Sequence, residues 1–148
     1  MEHHPVWIPR VLVDAIHYGQ LDEHGGSYGL RDANALEAAL ARPRQKLAYH
    51  PSVDLAALAG AYSFALARSH PYTDGNERVA FVAAEVFLEL NGCDVDREDA
   101  EVITAMTALA RGSLGEKSLA RWFRDAMVPF HQLIVLSPGE SPLESGKR

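Results

Sequence analysis

His70, Asp74, Gly75, Asn76 and Arg78 fall within nine residues, His70-Pro71-Tyr72-Thr73-Asp74-Gly75-Asn76-Glu77-Arg78, directly before and into an apolar segment, Val79 to Leu90. This is the layout of a phosphate site at a helix start, where unpaired backbone N–H groups and the positive dipole end both point at an anion. Gly75 lets main chain approach a phosphate with no side chain in the way. A carboxylate such as Asp74 can hold a divalent cation, and the Arg78 guanidinium can take phosphate oxygens in bidentate fashion. The His70 imidazole can take up a proton near neutral pH.

Such groups need a rigid frame, and the apolar spacing supplies a helical one. Pro9 to Tyr18 reads as a helix with Val11, Leu12, Ala15 and Ile16 on one side. The stretch His24-Gly25-Gly26-Ser27-Tyr28-Gly29-Leu30 reads as a loop or short hairpin, with Asp32 as the next N-cap. A second helix, Asp32 to Ala41, is expected to stop at Pro43, and Ser52 is expected to cap a third that runs to about Ser69. From Asn76 to Asn91 only Glu85 and Glu89 are clearly polar within the apolar run. A helix apolar on nearly all sides belongs at the centre of a fold, with the two glutamates as a solvated stripe. Gly92 suits its C-terminus, Asp96 and Asp99 open a fifth helix to about Ala110, and a sixth spans Glu116 to Met127 with Leu119, Trp122 and Phe123 on one face. No strand of any length is expected. The fold class is therefore all-α, an orthogonal helical bundle around a buried central helix. Residues 1–128 form one domain and 129–148 a loosely ordered tail rich in Pro, Ser and Gly.

Composition narrows the function. The net charge of −6 argues against a general nucleic-acid binder. The single cysteine, Cys93, points to a reducing cytoplasm, and no apolar run approaches the length of a membrane span. Arg42, Arg44 and Lys46 read as a solvated face, the sharper alternative being a dock for an acidic partner. His3 and His4 belong to a frayed terminus. His17, His24, His50 and His131 lack ligand spacing to one another and are assigned no role, and Cys93 has no basic neighbour to activate it.

The nine residues resemble the core motif of the Fic/Doc (Fido) superfamily. Fic proteins typically read His-Pro-Phe-x-Asp/Glu-Gly-Asn-Gly-Arg-x-x-Arg, and the Doc (death-on-curing) toxin branch reads His-x-Phe-x-Asp-Ala/Gly-Asn-Lys-Arg without the last arginine. That last position is Phe81 here, so the chain is closer to Doc; small size, Gly25-Gly26 ahead of Asp32, and Phe87-Leu88-Glu89-Leu90-Asn91-Gly92 also resemble that branch. The resemblance implies a general base at His70 that deprotonates a target hydroxyl, and Asp74 as the ligand of Mg²⁺ bridging the phosphates of ATP. It implies an anion hole at Gly75 and Asn76, phosphate binding by Arg78, and an inward-packed aromatic anchor at Tyr72. The glycine-rich stretch (Gly25, Gly26, Ser27, Tyr28, Gly29, through Arg31) matches a flap that aligns the target segment. Glu77 departs from the pattern, standing where Fic enzymes carry Gly and Doc toxins Lys; it sits among the phosphate-binding positions yet brings like charge towards a triphosphate, unless it serves as a second metal ligand.

Three readings follow from the resemblance. The first is a toxin of a type II toxin–antitoxin pair, a kinase that phosphorylates a Ser or Thr hydroxyl of a protein target, by family analogy elongation factor Tu, and so arrests translation. The second is an AMP-transferring Fic enzyme. The third is a catalytically weakened Fic/Doc-fold binding protein, on the strength of Glu77. No internal Ser/Thr-x-x-x-Glu-Gly/Asn inhibitory motif is present, so a cognate antitoxin inhibiting in trans is the expected partner, with no direct nucleic-acid or membrane contact.

Overall fold

A segment apolar on nearly every side needs neighbours on nearly every side, and α4 (Asn76–Leu90) has them. The computed structural model describes residues 4–130, in which α4 follows α1 (Arg10–His24), α2 (Ala33–Tyr49) and α3 (Leu55–Ser69), and precedes α5 (Asp99–Arg111) and α6 (Glu116–Ala126). Val79, Ala80, Phe81, Ala83, Ala84, Phe87 and Leu88 of α4 are all buried. The fold is the expected all-α bundle around the motif helix.

The central pair is α3 and α4. The alanine-rich α3 buries eleven of its fifteen residues, and its small side chains let other helices come close. At Gly60 the approach reaches main chain: a Cβ there would lie 2.9 Å from the Ala120 nitrogen of α6. Aromatic rings fill the wider gaps. Phe87 stacks on Trp7 at 5.9 Å and tilts against Tyr62 at 5.0 Å, while Phe81 stacks on Phe123 at 5.5 Å.

Several boundaries differ from the sequence reading. The helix α1 continues past Tyr18 to His24, and it buries Val13, His17 and Leu21 while leaving Val11 exposed. Pro43 does not end α2, which runs on to Tyr49 with the proline ring buried inside it. An interior proline costs about 3 kcal/mol, and contacts on both sides of it hold the helix. Arg42 and Lys46 both pair with Glu116, at 2.6 and 2.9 Å, and the Arg44 guanidinium lies over the Trp7 ring at 5.9 Å. Arg42 and Arg44 are exposed, so the stretch is a solvated face as expected, but one whose cations have partners within the fold. The α3 cap is Asp54, whose carboxylate accepts from the Ala57 N–H at 2.9 Å, and not Ser52; Asp32 caps α2 as expected, accepting from the Ala35 N–H at 3.0 Å.

Two short strands, β1 (Cys93–Val95) and β2 (Met127–Pro129), pair antiparallel with Asp94 opposite Val128, where no strand was expected. They tie the exit of α4 to the exit of α6, and they place Pro129, assigned above to the tail, inside the ordered fold; the rest of that tail from His131 onward, and His3, lie outside the described residues. Among the described residues no helix is long and apolar enough to cross a membrane.

Glu85 corrects the picture of a solvated stripe. It is half-buried beside exposed Glu89, and its carboxyl is pushed up to about 7, first by loss of hydration and then by Glu89, Asp94 and Asp99. The folded state therefore binds a proton more tightly than the unfolded chain does, and stability present at pH 5 is lost as pH rises towards and through 7. We expect Glu85→Gln to flatten this slope and to raise stability at pH 8 by about 1–2 kcal/mol after allowance for solvent screening, read from urea unfolding at pH 5 and pH 8. An unchanged slope in the variant would sink the assignment.

Candidate functional site

The nine residues form the turn between α3 and α4. His70 follows the last residue of α3 in the left-handed region, φ 48° and ψ 56°, and it is the one non-glycine residue with positive φ among the described residues. Histidine tolerates this conformation better than most side chains, but it needs holding. Arg31 holds it: its guanidinium donates from Nε to the His70 carbonyl at 2.8 Å and from Nη2 to the Ser69 carbonyl at 3.0 Å. The His70 imidazole itself is exposed and makes no hydrogen bond among the described residues.

The glycine-rich stretch lies alongside this turn. The Thr73 N–H donates to the Gly29 carbonyl at 2.9 Å, Leu30 and Tyr72 form an antiparallel bridge, and the Pro71 carbonyl accepts from the N–H groups of Arg31 (2.8 Å) and Asp32 (3.0 Å). Two glycines here have positive φ, which disfavours any side chain, and lie close to the turn. A Cβ on Gly26 (φ 126°) would meet an Asp74 carboxylate oxygen at 2.9 Å, and one on Gly29 (φ 138°) would meet Thr73 Oγ1 at 2.9 Å. Ser27 reaches the site through its main chain, its N–H donating to Asp74 Oδ2 at 3.2 Å. Gly25 ends α1, and Tyr28 packs on exposed Tyr18 with ring centres 5.1 Å apart.

Behind the turn, Tyr72 is buried, and its hydroxyl donates to Asp14 Oδ1 at 2.7 Å. That bond, with burial the larger cause, raises the phenol well above its ordinary range. The Tyr72 ring stacks on His17 at 3.8 Å, and His17 Nε2 lies 3.0 Å from the Asp74 carbonyl. A carbonyl can only accept, so that nitrogen carries the proton. The sequence reading gave His17 no role; the structure makes it a brace of the Asp74 backbone. Its signal was a stripe at helical spacing, Val13-His17-Leu21, hidden by the more apolar Val11, Leu12, Ala15 and Ile16.

Asn76 closes the turn from within. Its side chain is buried, Oδ1 accepting from the Tyr72 N–H at 3.0 Å and Nδ2 donating to the Tyr72 carbonyl at 2.9 Å. Gly75 (φ 78°) caps α4, and its N–H donates to Asp74 Oδ1 at 3.0 Å. The N–H groups of Asn76, Glu77 and Arg78 have no acceptor among the described residues. Beside this helix start lies a groove of about 410 Å³ whose walls are Asp74, Gly75, Glu77 and Arg78 on one side, and Ile103, Met106 and Arg111 of α5 on the other. Glu77 and Arg78 are half-buried there, and neither makes an ion pair among the described residues.

The structure thus brings Asp74, Gly75, Glu77 and Arg78 to one groove, with Gly26 and Ser27 against Asp74 and Gly29 against Thr73. Asn76 and Tyr72 serve inside the turn, and His70 stands at the α3 end, outside the groove lining. Asp14 and Arg111 were not singled out from sequence, and Arg31 only as the end of the flap, not as a support of the turn. Each lies outside the motif, and nothing local in the chain marks it as a neighbour. Among the described residues no group of three or more His, Cys, Asp or Glu side chains could hold a metal ion by itself. Asp74, a single exposed carboxylate beside a helix start, fits Mg²⁺, which characteristically takes few protein ligands and completes its shell with phosphate oxygens and water.

Known proteins resemble this chain in sequence. The sequence model of the Fic/DOC family matches residues 7–88, more than half of the chain. The chain is 31% identical over 116 residues to "Protein kinase doc" of Escherichia phage P1, covering 78% of this chain and 90% of that protein. It is 41% identical over 85 residues to "Toxin Doc" of Mycolicibacterium smegmatis, covering 51% of this chain and 63% of that one. The matched span runs from Trp7, against the core, through the whole of the flap and the His70–Arg78 turn to Leu88 near the end of the central helix, and a chain that carries these parts in this order belongs to the Fic/DOC family, on its Doc side.

Proposed function

We propose that this protein is a Doc-like toxin that transfers the γ-phosphate of ATP to a Ser or Thr hydroxyl of a protein target in the cytoplasm, elongation factor Tu by analogy, and so arrests translation. What carries the reading is one turn of chain, which presents an exposed imidazole, a carboxylate with both oxygens anchored by main-chain N–H groups, and a helix start with three N–H groups that have no acceptor among the described residues. The names of the two relatives support it.

In this reading the flap edge takes the target segment by main-chain pairing and brings its hydroxyl to His70. The His70 imidazole accepts the hydroxyl proton, the freed oxygen forms its bond to the γ-phosphorus, and the bond to ADP breaks. Arg78 and the N–H groups of Asn76, Glu77 and Arg78 hold phosphate oxygens, with Gly75 giving them room. Asp74 would hold Mg²⁺, whose contribution when bound is to neutralise phosphate charge. Asn76 and Tyr72 keep the turn in shape.

Transfer of AMP is the weaker reading, because the position of the second Fic arginine is Phe81, which is buried against Phe123 in the core. A cognate antitoxin would inhibit in trans by covering the groove. The test is transfer from ATP labelled separately at the γ- and α-phosphates, with purified elongation factor Tu and host lysate. We expect label from the γ-phosphate alone. Label retained from the α-phosphate would move the protein to AMP transfer. No label from the wild type, with label appearing in Glu77→Lys, would make it a weakened relative switched off by Glu77.

A further inference from the structure

The motif gives the groove one cation, Arg78, and two carboxylates, Asp74 and Glu77. On those residues alone the groove is net negative, and a nucleoside polyphosphate would be repelled from it. A second guanidinium lines the same groove from outside the motif: Arg111, in the last turn of α5. It balances the two carboxylates.

Local structure leaves Arg111 available. A cation at the end of α5 suits the helix dipole, but that role is met wherever the side chain points. The other local use would be an ion pair with Glu77, and none forms; Arg111 has no partner among the described residues. Arg68 adds positive charge beside it, since a Cβ on Gly112 would lie 3.1 Å from Arg68 Nη1, but the Arg68 guanidinium is set over the Phe64 ring at 5.2 Å. Arg111 is therefore the unengaged cation of the α5 wall, with apolar Ile103 and Met106 beside it on the same helix.

We propose that Arg111 is a phosphate-binding residue of this groove, taking nucleotide phosphate oxygens from the α5 wall while Arg78 and the start of α4 take them from the other. This rests on the reading of the groove as a nucleotide site. It makes Arg111 the residue that lets the groove accept a polyanion in spite of Glu77.

The test is calorimetric binding of ATP with Mg²⁺, and of adenosine, to the full chain in wild type, Arg111→Ala, Arg111→Lys and Arg111→Ala/Glu77→Gln forms. We expect Arg111→Ala to weaken ATP by about 10–100-fold, the worth of a charge-assisted contact, with adenosine unchanged within about twofold. Lysine should restore only part, because it lacks the planar fork. Glu77→Gln in the Arg111→Ala background should recover much of the loss, since the missing cation is then matched by a missing anion. ATP affinity in Arg111→Ala within about twofold of wild type overturns the proposal and leaves the nucleotide site standing. A wild type that binds neither ATP nor adenosine overturns both.

Discussion

His70→Asn lowers phosphate transfer by about 10²–10⁴-fold, the usual worth of a positioned general base, while ATP affinity and melting temperature stay close to wild type. Asparagine is the informative replacement because the residue sits at φ 48°. Alanine there adds roughly 1–2 kcal/mol of left-handed strain, which would blur a catalytic loss with a folded-state one; asparagine adopts that conformation readily and cannot take up the proton. The turn should survive, because Arg31 grips the carbonyls of Ser69 and His70 and not the imidazole. Nucleotide binding should survive because His70 does not line the groove. The assay is initial-rate transfer of γ-label, with a thermal melt and ATP titration on the same preparation. Transfer within tenfold of wild type would remove His70 from the role of base.

How much of this was legible in the chain depended on how local each cause is. The motif helix and the Asp32 cap follow from residues next to one another, and they came through. The extent of α2 did not, because Pro43 signals a stop locally, while the residues around it are held by distant partners: the buried face of α2 packs on α3, and Arg42, Lys46 and Arg44 meet Glu116 and Trp7. Asp54 displaced Ser52 as a cap for a similar reason: its carboxylate also answers to Arg124 at 2.7 Å, seventy residues away. The strands are three residues long, and only their pairing defines them. Within the site, the chemistry-bearing groups were legible because a single turn holds them. Their supports were not, since Asp14 and His17 on α1, Arg31 before α2 and Arg111 on α5 become neighbours only when the bundle closes.

Asn76→Ala should be strongly destabilising for the replacement of a polar side chain. The Asn76 side chain satisfies both the N–H and the carbonyl of Tyr72, at 3.0 and 2.9 Å, in a place where water does not reach. Alanine removes two hydrogen bonds and leaves two main-chain groups buried without partners, which together amount to about 2–4 kcal/mol and a fall in melting temperature of roughly 5–15 °C. The loss is directed as well as large. Tyr72 is the residue stacked on His17 and bridged to Leu30, so a loosened Tyr72 backbone releases the flap pairing and the Asp74 position together. Hydrogen exchange separates this from general weakening: the Tyr72 and Thr73 amides should exchange faster by more than the global loss of stability accounts for, while amides of α3 should change only by that global amount. Exchange at Tyr72 no faster than the core predicts, or a stability within about 0.5 kcal/mol of wild type, would mean that Asn76 does not hold the turn. It would then have to be sought among the groups that meet the phosphate.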